Sequence, residues 1–160
     1  MENPSGVPPR YSALVREISL LDERFRGALA HSLALDPTAL DAMDWLMREG
    51  PLSPGELAGR LGLTPGAVTG VLNRLEATGH AHRESDPADR RSLRIVPTPA
   101  SIDTATDRLM PLILQLSART ARYSPDEMAL IERFLDDVAE SYRAGIESLE
   151  ADGAPSPDAA

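Results

Sequence analysis

The side chains best suited to non-covalent recognition gather in one short stretch. Between Thr64 and Gly79, the residues Gly66, Thr69, Gly70, Asn73 and Arg74 alternate with Val68, Val71, Leu72 and Leu75. A helix through this stretch separates the two sets onto opposite faces. The polar face is small near its N-terminal end, so it can approach another surface closely, and the amide end and dipole favour an anion there. Asn73 can hydrogen-bond adenine or a phosphate, and Arg74 can grip guanine or the sugar-phosphate backbone. Further along, Arg90 and Arg91 stand beside Asp86 and Asp89 in the turn-rich segment SDPADRRS. An arginine at a loop tip can enter a narrow minor groove, and a neighbouring aspartate can orient it by ion pairing. Taken singly, these residues also fit a solvated helix surface and a charged solvated turn. Their succession favours a reader of duplex DNA.

Covalent and metal chemistry find little to work with. Cysteine is absent, which removes disulfides, iron–sulfur clusters, thiolate zinc sites and thiol redox sensing. His80 and His82, at i and i+2 on a strand, can face one side as a metal pair, but no third ligand stands near them. No nucleophile has a plausible base, and there is no glycine-rich phosphate loop. Neither an enzyme nor a cofactor is expected.

The elements that must hold the recognition residues are clearly punctuated. Five times a capping residue precedes proline: Asp36-Pro37, Ser53-Pro54, Thr64-Pro65, Thr98-Pro99 and Ser124-Pro125. In each pair the side-chain oxygen can take an orphan amide, while proline occupies the first helical position at no hydrogen-bonding cost. Ser53 with Glu56 and Ser124 with Glu127 complete capping boxes. The apolar spacing then predicts helices over 10–34, 37–49, 54–61, 65–78, 99 to about 122, and 125–149, with Gly50, Gly62 and Gly79 as stops. Between Gly79 and Thr98 the rhythm changes. The stretches HAHRE and LRIVP flank the turn-rich centre and predict a two-stranded hairpin with a mobile tip. The predicted fold class is mainly α with a small β-wing (α+β). The order helix, short turn, helix, hairpin over residues 53–98 is a winged helix-turn-helix.

Composition bounds the rest. The chain has 160 residues, 42% hydrophobic and 26% charged, with a net charge of −9. All 16 basic residues are arginine. The total charge opposes DNA binding, but residues 51–100 hold six arginines against five carboxylates, a net +1, which leaves −10 for the remainder. An acidic frame around a locally neutral-to-basic module suits a DNA reader whose frame does another job. No apolar run approaches a membrane span, and MENPSGVPPR is not a secretory signal, so no membrane partner and a cytoplasmic location are expected.

From Leu35 to Thr98 the sequence resembles the MarR (multiple antibiotic resistance regulator) family, through LGLTPGAVTGVLNRLE followed by DPADRRS. The resemblance implies an obligate homodimer formed by the first helix and the last two, major-groove insertion of the helix from Thr64, and minor-groove contact by the Arg90–Arg91 wing. It implies repression relieved by a small, often aromatic or phenolic, ligand. The expected organisation is a disordered N-terminus over 1–9, a helical dimerisation region over 10–36 and 99–149, a DNA-binding domain over 37–98, and a disordered tail over 150–160. The candidate DNA-contacting residues are Ser53, Thr64, Pro65, Gly66, Ala67, Thr69, Gly70, Asn73, Arg74, Asp89, Arg90 and Arg91. Trp45 and Met43 are candidate ligand-lining residues, though core packing is the commoner role of such side chains. The expected partners are double-stranded DNA, a second copy of the chain and the small effector. The competing reading is a winged-helix protein-interaction module that has lost DNA.

Two departures from the family pattern carry expectations of their own. His80 and Ala81 stand where the family has two apolar residues, which predicts weak packing of the first wing strand. Pro97-Thr98-Pro99-Ala100-Ser101 stands where the family reads Leu-Thr-x-x-Gly, which predicts a stiffer entry into the fifth helix.

Overall fold

A computed structural model describes residues 9–87, 89 and 91–153. The elements run α1 (Pro9–Ser32), α2 (Pro37–Glu49), α3 (Pro54–Leu61), α4 (Pro65–Ala77), β1 (Ala81–Ser85), β2 (Leu93–Pro97), α5 (Pro99–Thr120) and α6 (Pro125–Gly153). The chain divides into two compact units, Met1–Met110 and Pro111–Ala160. The boundary falls inside α5 at Pro111, whose ring nitrogen has no hydrogen to donate within the helix.

The capping residues set the helix starts. The amides of Ala39, Glu56 and Ala67 donate to the side chains of Asp36, Ser53 and Thr64 at 3.0, 3.2 and 3.3 Å. The Ser101 and Glu127 amides donate in the same way to the hydroxyls of Thr98 and Ser124, at 3.2 and 3.3 Å. Both capping boxes close, as the Ser53 and Ser124 amides donate to Glu56 and Glu127, each at 2.8 Å.

Three helices end in the same way. After α3 and α4 a left-handed glycine, Gly62 (φ 62°) or Gly79 (φ 74°), lets the next amide reach back across the last turn, Leu63 to the Ala58 carbonyl and His80 to that of Leu75. After α1 the Leu35 amide reaches Ala30 by the same geometry, but the left-handed position is Ala34, at φ 54°. That turn ends α1 at Ser32 rather than at 34. At the other end of the chain α6 runs on to Gly153, past the predicted stop at 149, because Glu150, Ala151 and Asp152 offer no breaker. Residues 150–153 are therefore helical rather than part of an irregular tail. Pro9 likewise opens α1 rather than ending an irregular N-terminus, and the remaining expectations of disorder, for 1–8 and 154–160, lie outside the described residues.

In the first unit the core joins α2, α3 and α4 to the wing. Leu46, Leu57, Val68, Val71, Leu72, Leu75 and Ile95 are almost completely buried. The four apolar positions of α4 all face this core, as the spacing predicts. A second small cluster joins Ala30 and Leu33 near the end of α1 to Leu40 of α2 and Ala105 of α5. β1 and β2 pair antiparallel, with Arg83 opposite Ile95. Leu52 adds a single bridge on the far side of β2, exchanging both backbone hydrogen bonds with Ile95 at 2.7 and 3.3 Å.

The weak packing expected of the first wing strand from His80 and Ala81 does not hold at its start, although His82, Glu84 and Ser85 are exposed. Ala81 is buried in the core. Neighbouring His80 uses both ring nitrogens, with Nε2 2.8 Å from the Leu33 carbonyl and Nδ1 2.7 Å from the Ser101 hydroxyl. A carbonyl only accepts, so Nε2 carries the proton, and in the neutral ring Nδ1 accepts from Ser101. Imidazole thus replaces an apolar contact by tying the ends of α1 and α5 to the wing.

Other apolar stripes find no cover within a unit. Leu14, Ile18 and Leu21 on α1 are exposed, and so, in the second unit, are Leu135, Tyr142, Ile146 and Leu149 on α6. Among the described residues no helix is long and apolar enough to cross a membrane.

Candidate nucleic-acid interface

The outward face of α4 begins at its N-terminus. Thr64, Pro65, Gly66 and Ala67 are exposed, and the Thr64 side chain is occupied in capping the Ala67 amide. One turn on, Thr69 donates its hydroxyl hydrogen to the Pro65 carbonyl at 2.8 Å, which leaves it as an acceptor and a methyl group. Gly70 and Asn73 continue the stripe, the first partly exposed and the second exposed. Ser53 lies apart from it as the N-cap of α3, its hydroxyl held by the capping box.

Arg74 leaves the stripe. Its guanidinium passes over Gly70, where an added Cβ would lie 3.7 Å from Nη1, and pairs with Asp36 at 2.7 Å between Nε and Oδ2. Asp36 also caps α2, so one carboxylate serves both helices. The expected grip of Arg74 on guanine or backbone therefore competes with an ion pair already made.

At the wing tip, the Asp86 amide donates to the Ser92 carbonyl at 2.9 Å and closes the loop. Asp89 accepts from the Arg91 amide at 3.0 Å and from the Ser92 hydroxyl at 2.8 Å, and these hydrogen bonds hold its carboxyl below the usual range. The aspartate thus orients the Arg91 backbone rather than pairing with its guanidinium, and the Arg91 side chain is exposed. Arg90 lies outside the described residues. Arg94 reaches inward, donating to the Pro51 carbonyl at 2.8 Å, with Asp86 3.7 Å from its Nε.

Sequence reasoning missed the cluster beneath the stripe. Arg83 of β1 pairs with Glu76 of α4, and its amide donates to the same carboxylate at 3.1 Å. Its Nη2 donates to Asn73 Oδ1 at 2.9 Å. Two signals were present. Strand alternation places Arg83 on the same face as buried Ala81, and Glu76 continues the Asn73 stripe by one helical step.

The candidate ligand-lining residues separate. Met43 is buried in the core with Leu46 and Leu72, which is a packing role. Trp45 is half-buried, with the guanidinium carbons of Arg48 and Arg60 at 5.4 and 5.5 Å from its ring centre. It borders a depression of about 420 Å³ that is lined mainly by charge, including Asp22, Arg26, Asp41 and Asp44. His80 and His82 do not form a metal pair: both nitrogens of His80 are committed, and His82 lies 3.7 Å from Glu84. Among the described residues no group of three potential ligands is placed to hold a metal ion.

A capped helix pair, a small polar outer face and an arginine-bearing hairpin define the winged helix-turn-helix class of transcriptional regulators, not an enzyme. Residues 35–92 match the MarR family. The chain is 36% identical over 137 residues to the uncharacterized HTH-type transcriptional regulator YcgE of Bacillus subtilis (strain 168), spanning 86% of this chain and 89% of that protein. It belongs to the MarR family. Its fold is that of a MarR family protein from Bacillus stearothermophilus, at a TM-score of 0.68 and 21% identity over 89% of this chain and 99% of that one. A mutant of MepR from S. aureus, bound to an oligodeoxyribonucleotide, superposes with a TM-score of 0.57 at 20% identity, over 82% of this chain and 97% of that one.

Proposed function

We propose that this regulator represses transcription by binding a pseudo-palindromic operator as a homodimer, with α4 in the major groove and the wing at the minor groove. The observation that carries this reading is the division of α4, whose four apolar residues are buried while Gly66, Thr69, Gly70 and Asn73 stay outward. The proposed contacts are this stripe with the α4 N-terminus, and Arg91 with its neighbour Arg90 at the wing. Ser53, Asp89 and Arg74 act by holding the surrounding backbone and helices. A fold neighbour in complex with an oligodeoxyribonucleotide supports the same use of the scaffold.

The homodimer is supported by the exposed apolar residues of α1 and α6, which follow the helical repeat of a buried face. A second copy covers such stripes by a two-fold axis, and the same axis presents two α4 helices to half-sites about one helical turn apart. Release by a small aromatic or phenolic ligand follows from the family. Trp45, whose ring carries the Arg48 and Arg60 guanidinium groups, is a candidate wall for such a ligand in the first unit.

The test is a fluorescence-anisotropy series on duplexes drawn from the DNA flanking the coding region. Binding is expected to weaken steeply with salt, and Arg91→Ala to lose about tenfold or more. Footprinting is expected to reveal two half-sites spaced by ~10 base pairs. A monomer that ignores every duplex at low ionic strength refutes the reading and favours a protein-interaction module.

A further inference from the structure

Arg74 is the one cation of α4, and two observations place its guanidinium. Nε lies 2.7 Å from Asp36 Oδ2, and Nη1 lies over Gly70, 3.7 Å from the point where a Cβ would stand. Gly70 belongs to the outward stripe, so the far end of the guanidinium is carried onto the face proposed to meet DNA. With no side chain at Gly70, that end can lie close to the helix. The two oxygens of Asp36 divide their work: Oδ1 accepts from the Ala39 amide at 3.0 Å and caps α2, while Oδ2 faces Arg74. The cap fixes the carboxylate on the helix that it starts. Among the described residues neither terminal nitrogen of Arg74 makes a hydrogen bond. The side chains of Arg74 and Asp36 are 53% and 39% exposed, so a partner can reach the pair.

Resting on the DNA-binding reading above, we infer that Asp36 is a positioning residue that holds Arg74 across Gly70 and so presents its terminal N–H groups to the DNA. A guanidinium carries five donors in one planar fork, so a carboxylate near Nε does not exhaust it. The tie to α2 and the contact with DNA are two uses of one side chain. The atom it meets is a strong acceptor, a phosphate oxygen or the O6–N7 edge of guanine. A free arginine gives up its rotamer freedom when it binds, and Asp36 has already taken part of that freedom. Gly66, Thr69, Gly70 and Asn73 are neutral, so Arg74 supplies the positive charge of the α4 surface.

The test selects duplexes from a random library with the full-length wild type, then measures variant affinities by anisotropy on the selected duplex and on a scrambled one. Arg74→Ala is expected to lose about tenfold on the selected duplex. Arg74→Lys keeps a charge for Asp36 but not the planar fork that spans the carboxylate and a second acceptor, so it is expected to lose nearly as much. Asp36→Asn keeps an oxygen for the Ala39 amide and turns an amino group toward Arg74. It is expected to melt like the wild type and to bind the selected duplex about fivefold or more weakly. Asp36→Ser also caps but stops short of Arg74, and is expected to do the same. In the Asp36→Asn background, Arg74→Ala is expected to cost less than about twofold further. A loss confined to the selected sequence makes the acceptor a base edge; an equal loss on both duplexes, with a flatter salt dependence, makes it a phosphate. Either pattern supports the proposal. An Arg74→Lys protein that binds like the wild type leaves only a tie between helices and overturns it. Asp36 variants that bind as tightly as the wild type or more tightly, or in which Arg74→Ala still costs its full loss, also overturn it, because Asp36 then does not place Arg74 on the DNA. A wild type that selects no duplex overturns the DNA-binding reading itself.

Discussion

Replacing His80 by alanine isolates a tie that reaches three parts of the first unit. The ring satisfies the Leu33 carbonyl at the end of α1 and the hydroxyl of Ser101, a buried polar side chain at the start of α5. Its removal strands one acceptor and one hydroxyl, each costing about 1–3 kcal/mol when left without a partner. His80 is only partly covered, so water recovers part of this and the net loss is set at about 2–4 kcal/mol. At roughly 3 °C per kcal/mol for a chain of this size, the melting temperature falls by about 6–12 °C. The assay is thermal and urea unfolding followed by circular dichroism at fixed protein concentration. His82→Ala serves as the control, because His82 is exposed and only loosely paired, 3.7 Å from Glu84; its change is expected to stay within about 0.5 kcal/mol. A His80→Ala protein that unfolds within about 0.5 kcal/mol of the wild type refutes the reasoning, since it would mean that the two stranded groups cost nothing.

Ala34→Gly acts in the opposite direction: it removes the steric cost of a left-handed alanine after α1, so the protein is expected to gain about 1 kcal/mol in stability. The midpoint in urea checks this, and a lower midpoint counts against strain at φ 54°. The carboxyls of Glu56 and Glu127 are held below their usual range, first by the backbone amides of Ser53 and Ser124 and then by the hydroxyls. Because their folded values are depressed, they contribute stability above the unfolded value near ~4, and this is lost as pH falls through the folded value. Melting temperature is therefore expected to drop on acidification below about pH 5, and less so in an E56Q/E127Q protein, which keeps the capping bonds without titrating. An equal drop in both proteins contradicts the assignment.

Much of the fold was legible because its signals are local. A capping oxygen followed by proline fixes a helix start within a few residues, and the α4 spacing fixes which side faces the core. What was not legible is long-range. Nothing near Arg74 in the chain announces that Asp36 receives it, and nothing near His80 names Leu33 or Ser101. Ala34 gave no stop signal because its left-handed backbone is the kind that glycine normally marks. The wing showed both behaviours: alternation gave the hairpin, whereas the Leu52 bridge joined residues too far apart in sequence for any local pattern to pair them. At the candidate interface the residue types were readable, but not their allegiances. Asn73 and Arg74 are adjacent in sequence, yet one is turned to the wing and the other to the start of α2.

The carboxylate of Asp36 has a mechanical meaning. Swivelling α4 about its own long axis drags Arg74 off that carboxylate and disturbs the first turn of α2, whose opening amide rests on the same group. The reading element is thus keyed to its neighbour like a cog on a shaft. A partner that turns it must either break this exposed ion pair or carry the start of α2 along with it.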